Sequence, residues 1–150
     1  SNYYITNGPA FLEKNNLYHT DSRSKTIYKI KINKNLEILE KKIFIRLNPK
    51  DGAPDGMTLD NKKNLWVCHF NGACISIFNK KGKRLHKIDF LAKNITNCTF
   101  GGKNNNILFV SSATKSMSKK DYNKFRYSGS LFSVKTNMTG ILPKSFKVRL

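Results

Sequence analysis

Acidic residues are scarce in this 150-residue sequence: 9 Asp and Glu stand against 28 Lys and Arg, for a formal net charge of +19. Such a surplus invites a nucleic-acid reading, because cations that neutralise phosphates release counterions. That reading needs the charge on one face, interleaved with aromatics that stack on bases. The lysines instead crowd candidate turns, at Asn61-Lys62-Lys63-Asn64, Asn79-Lys80-Lys81-Gly82-Lys83 and Lys119-Lys120. With 18 Asn beside them, the pattern fits an AT-rich coding background, and no nucleic-acid partner is expected. Long hydrophobic runs are missing too. No stretch reaches the ~18 apolar residues of a membrane span, so no membrane partner is expected. Cysteine is limited to 3 widely spaced residues, which excludes a disulfide framework and favours a reducing compartment. The opening Ser1-Asn2-Tyr3-Tyr4-Ile5-Thr6 lacks the charged-then-apolar order of a secretory signal. The expected compartment is the cytoplasm, with the periplasm the alternative should a signal peptide stand upstream.

Apolar material is present in quantity. The hydrophobic fraction is 39%, with 10 Phe and 6 Tyr, too much for a disordered basic tail. The length suits one domain with its own core.

An internal repeat organises the chain. Three segments begin similarly: Asn7-Gly8-Pro9-Ala10-Phe11, Asp55-Gly56-Met57-Thr58-Leu59 and Thr96-Asn97-Cys98-Thr99-Phe100. Phe11, Leu59 and Phe100 align, with periods of 48 and 41 residues. Leu17 and Leu65 follow six residues later in the first two copies, and Ile27 and Ile75 ten residues after those. Further alternating runs close the copies at Lys42–Leu47, Leu85–Leu91 and Lys144–Val148. All are short and rich in β-branched and aromatic residues, between turns of Asn, Gly and Lys. Four strands per ~40–50 residues is the pattern of a β-propeller blade. The expected fold is all-β: three four-stranded blades, about 7–50, 51–93 and 94–150. A propeller closes with about 4–8 blades. The three are therefore expected to be the C-terminal half of a longer propeller, with the N-terminal half as a missing partner; the alternative is self-assembly of two half-rings into six blades. The third copy carries an insertion at 115–126, where Ser118 is positioned to cap a short helix.

The start of a blade's first strand points toward the channel axis, where blades converge on a ligand. Asn7, Asp55 and Thr96 hold that position. Asn and Asp oxygens suit Ca²⁺, Mg²⁺ or Mn²⁺ and can serve Zn²⁺. The same Asn-Gly and Asp-Gly pairs are also favoured turn pairs, so spacing alone leaves both readings open.

The blocks Asn7-Gly8-Pro9-Ala10-Phe11, Leu17–Ser22, Pro54-Asp55-Gly56-Met57, Leu65-Trp66-Val67 and Phe100-Gly101-Gly102 resemble the gluconolactonase/regucalcin family, also called senescence marker protein-30. The resemblance runs in order from about Asn7 to Pro143. It implies a six-bladed propeller with a divalent metal in its channel and hydrolysis of sugar-acid lactones. Asn7 and Asp55 then become metal ligands, and Asp55 also the catalytic general base. The family's third ligand, a Glu, and its substrate-holding Arg and Asn belong to the N-terminal half. Two of three ligands are therefore expected here, in a fragment inactive alone. The alternative function is a non-enzymatic calcium- or protein-binding propeller.

Other candidates are set aside. Cys68 and His69 are adjacent on a strand and face opposite sides, which argues against zinc with Cys74. His19, Asp21 and Ser22 match a triad by type only, with no Gly-x-Ser-x-Gly elbow. Trp66 reads as blade packing, and the sequons at Asn94, Asn97 and Asn137 follow from abundant Asn.

Overall fold

The computed structural model describes residues 3–13 and 15–142. They form an all-β protein of three antiparallel sheets. The first contains β1 (Thr6–Glu13), β2 (Asn16–Asp21), β3 (Thr26–Ile32) and β4 (Ile38–Arg46) in sequential order. The second repeats that order with β5 (Ala53–Leu59), β6 (Leu65–Phe70), β7 (Cys74–Phe78) and β8 (Arg84–Asp89). The third holds β9 (Asn94–Gly101), β10 (Ile107–Ala113) and β11 (Leu131–Lys135). The closing run Lys144–Val148 lies outside the described residues. Among the described residues, no helix is long and apolar enough to cross a membrane.

The strand pairing gives the sequence spacings a physical meaning. Phe11 pairs with Leu17 and Leu59 with Leu65 across their hairpins, which is the shared spacing of six. Ile27 lies opposite Thr20, and Ile75 opposite Cys68, three residues beyond those leucines. Phe100 pairs with Leu108 in the same way, across a turn two residues longer. That longer turn is why the third copy keeps the register and loses the spacing.

Side-chain alternation assigns each face to a core. On β6, Leu65 and Val67 join Tyr18, Ile27, Met57 and Phe78 between the first two sheets. Trp66 and Cys68 join Ile75, Ile95, Leu108 and Val110 between the second and third. β6 is thus buried from Leu65 to His69 because both its faces are covered. Each fully buried Leu, Ile or Val contributes about 1.5–3 kcal/mol relative to exposure. Trp66 keeps a polar partner as well: its Nε1–H donates to the buried Asp60 carboxylate at 3.0 Å. All three cysteines are buried free thiols.

The insertion between β10 and β11 carries the helix α1 (Lys119–Lys124). Ser118 caps it, in a reciprocal box with Asp121. Lys93 pairs with Asp121 at 2.7 Å, and together with the Ser118 hydrogen bonds it lowers that carboxyl to about 2.

Candidate functional site

One feature recurs on the inner strand of every sheet. The pairing slips by one residue between Asn7 and Ala10 on β1, between Pro54 and Met57 on β5, and at Thr96 on β9. Such bulges bend a strand and re-aim its side chains, and they are common beside active sites. Asp55 and Thr96 sit within their bulges, and Asn7 directly precedes its own. A bulge depends on the partner strand's register, so no pattern along one strand could reveal it.

Asn7 and Asp55 open onto one cavity of about 490 Å³ at the start of the inner strands. All three sheets supply its walls. Ile5, Asn7, Ser22 and Arg23 come from the first, Ala53, Asp55 and Phe70 from the second, Lys115 and Ser116 from the third. Thr96 is not among the lining residues; its hydroxyl is 2.8 Å from that of Ser111. A larger groove of about 640 Å³ lies at the other end of β1 and β5. Its lining is mainly apolar, and its carboxylate, Glu13, is held by Lys63 at 2.6 Å. Convergent polar groups are found in the smaller cavity.

Ser22 couples the two candidate ligands. Asn7 Nδ2 donates to Ser22 Oγ at 2.8 Å, and Ser22 Oγ donates to the carbonyl of Pro54 at 2.6 Å, the residue before Asp55. The relay pins the Asn7 carboxamide, leaving its oxygen as the acceptor end. It also fixes the distance between two strands 48 residues apart in sequence. Ser22→Ala removes the shared partner of a buried carbonyl and a half-buried amide. The expected cost is about 1–2 kcal/mol, measured by urea unfolding. A larger loss of divalent-cation affinity than of stability would accompany it.

Asp55 is half-buried, and desolvation pushes its carboxyl up to about 6, partly offset by a hydrogen bond from the Gly56 backbone. The glycines make room for this geometry. Gly8 has φ +81°, and a Cβ there would come within 2.6 Å of Met57 Cε. At Gly56 a Cβ would collide with the Asn97 carboxamide and the Thr96 carbonyl. Gly8 is needed for its left-handed backbone, and the close approach of β5 to β9 depends on bare backbone at Gly56.

The donor set fits a hard or borderline cation: a carboxylate and a carboxamide oxygen in one partly desolvated cavity. Among the described residues, no three His, Cys, Asp or Glu side chains cluster, so these two oxygens are an incomplete ligand set. Cys68 packs between the second and third sheets, while the His69 Nδ1–H donates to the Asp51 carbonyl at 2.6 Å. The pair faces two ways, and zinc has no centre there. His19 stacks edge-on against Tyr3, away from the cavity lining.

Sequence reasoning missed Ser22 as a coupler, Arg23 and Lys115 as lining residues, and Asn94 as a staple. Asn94 is 1% exposed. Its amide donates to the carbonyls of Ala113 and Lys115, and its oxygen accepts from the Asn71 backbone. In the sequence it was one sequon among abundant Asn; only burial shows what it does.

Residues 1–114 match a family model described as the SMP-30/Gluconolactonase/LRE-like region. A Bacillus subtilis protein carrying the name sugar lactone lactonase YvrE is 30% identical over 136 residues, 89% of this chain and 47% of that one. Regucalcin of Danio rerio is 36% identical over 103 residues, 67% of this chain and 35% of its own length. The solved structure of a calcium-binding protein, regucalcin, from Agrobacterium tumefaciens superposes with a TM-score of 0.88 at 17% identity. That superposition covers 97% of this chain and 50% of the other, and shows a shared fold. The chain thus spans about half the length, or less, of the relatives it matches.

Proposed function

Because this chain belongs to the SMP-30/gluconolactonase/LRE-like family, we propose that it is the C-terminal half of a six-bladed propeller that hydrolyses sugar-acid lactones with a divalent cation. The blades are about 7–50, 51–93 and 94–150, and the activity belongs to the complete ring. The observation that carries this reading is the convergence of Asn7 and Asp55, from two sheets, on one cavity through Ser22.

Asn7 and Asp55 would hold the cation through oxygen, with the remaining protein ligand supplied by the N-terminal half. A bound Ca²⁺, Zn²⁺, Mg²⁺ or Mn²⁺ would act as a Lewis acid on the lactone carbonyl. Asp55 accepts the proton of the attacking water. Burial pushes its carboxyl up, to about 6 in the cation-free site, and a bound cation would lower it and keep it ionised as ligand and proton acceptor. Asn7 keeps its oxygen aimed by donating to Ser22. Ile5, Ala53 and Phe70 give the cavity apolar walls that limit water around the reacting ester.

The test is lactone consumption by the complete protein, followed by proton release. Chelation should abolish it and one of the four cations should restore it, while this chain alone shows no turnover. Cation binding without turnover would leave the propeller as a calcium-binding module. Hydrolysis unaffected by chelators would remove the cation from the reading.

A further inference from the structure

Two cations lie on the wall of the cavity that holds Asn7 and Asp55, and the lactone reading gives them no task. Arg23 follows β2 in the first sheet, and Lys115 follows β10 in the third. They reach the same cavity from the sheets on either side of Asp55. Among the described residues, neither forms an ion pair within 4.0 Å. Asp55 is the one carboxylate in the lining.

Built contacts place the Arg23 guanidinium and the Lys115 backbone. The Arg23 guanidinium sits 4.2 Å from the centre of the Tyr4 ring, next to Ile5, which also lines the cavity. The Ile5 carbonyl accepts the backbone N–H of Ser22, tying this segment to the turn that carries Arg23. Lys115 is held through its carbonyl by Asn94, at 2.8 Å. Ser116 takes φ +59°, in a turn closed by the Met117 N–H on the Thr114 carbonyl. Lys62, Lys80, Lys81 and Lys83 lie at hairpin turns and do not line this cavity; Arg23 and Lys115, solvent-exposed like them, do.

We infer that the lactone hydrolysed here carries an anionic substituent, phosphate or carboxylate, remote from the ring ester, and that Arg23 and Lys115 hold it. The inference rests on the lactonase reading and goes further in naming the substrate class. Two unpaired cations converging on a cavity with apolar walls focus a positive potential where an anion would be recognised. A volume of about 490 Å³ has room for a monosaccharide lactone with such a group. A neutral lactone would leave both cations without a partner.

The experiment compares three substrates with the complete protein at low ionic strength. They are an aldono-1,5-lactone, its 6-phosphate, and the lactone of the matching aldaric acid. At least one anionic lactone should show kcat/KM about tenfold or more above the neutral one, and the better of the two identifies the group. In the R23Q/K115Q variant that ratio should collapse toward one, chiefly through KM. A ratio of one or below, or a ratio unchanged in the variant, overturns the inference while leaving lactone hydrolysis standing. If no lactone is consumed, the lactonase reading fails, and inorganic phosphate titrated into the protein decides the anion site. Amide shifts at Arg23, Lys115 and Ser116 that vanish in R23Q/K115Q support it. No shift in the wild type overturns it.

Discussion

Asp55→Asn is expected to leave the complete protein folded, slightly more stable, and nearly inert toward lactones. Loss of the carboxylate removes a general base and a charged cation ligand together, for a fall of about 10³-fold or more in kcat. Stability moves the other way. Folding holds the Asp55 carboxyl near 6, above its ordinary value of 3.8, because burial disfavours its charge. Between those two pH values the unfolded chain has released this proton and the folded chain has not. Stability therefore falls as pH rises through that window, and the deficit persists at neutral pH. Asn has no charge to desolvate. For this partly exposed group the gain is on the order of 1 kcal/mol, or roughly 2–4 °C in Tm. Kinetics at pH 7 with the cation supplied, and a thermal melt at pH 7 without it, check the two parts. Near-wild-type turnover, or a Tm that drops, would remove Asp55 from the role proposed for it.

Gly56→Ala should be strongly destabilising. Its Cβ would lie 2.7 Å from the Thr96 carbonyl oxygen and would also strike the Asn97 carboxamide. Thr96 lies in a bulge held on both sides by the paired Ile95 and Asn97, so relieving the contact moves β9 away from β5, in contact with the core formed by Ile95 and Cys98. The expected cost is about 2–4 kcal/mol, seen as a Tm lower by roughly 5–12 °C. Activity in the complete protein should fall further than the folded fraction, because the added methyl sits in the bulge that carries Asp55. Gly101→Ala is the control. Its Cβ would meet only the Phe109 ring, at 3.1 Å, and a side chain can yield, so a loss of about 1 kcal/mol or less is expected. Equal losses in the two variants would argue against a special close approach at Gly56.

Much of this architecture was legible in the chain. The alternating runs became strands, Ser118 became a helix cap, and the spacing of six and ten became hairpin register. These are local matters: pleat, turn and cap chemistry act over a few residues, and the residues themselves display them. Asn7 and Asp55 stood out for the same reason, since each opens a repeat before a glycine. Arg23 and Lys115 did not. Among 28 cationic residues nothing in composition distinguishes two that share a cavity. Ser22 was one hydroxyl in a motif until its two partners, from strands far apart in sequence, were brought to either side of it.

The order of residues by itself determined that this chain folds into sheets, where each hairpin turns, and which side chains are apolar enough to be buried. Period-two alternation and turn chemistry carry that information along a single strand. Only the tertiary structure decided which faces became shared cores, where the inner strands slip register, and which polar groups from separate sheets meet at one cavity. Those outcomes are set by backbone approach and by pairing between segments distant in the chain, and they exist only once the sheets have packed.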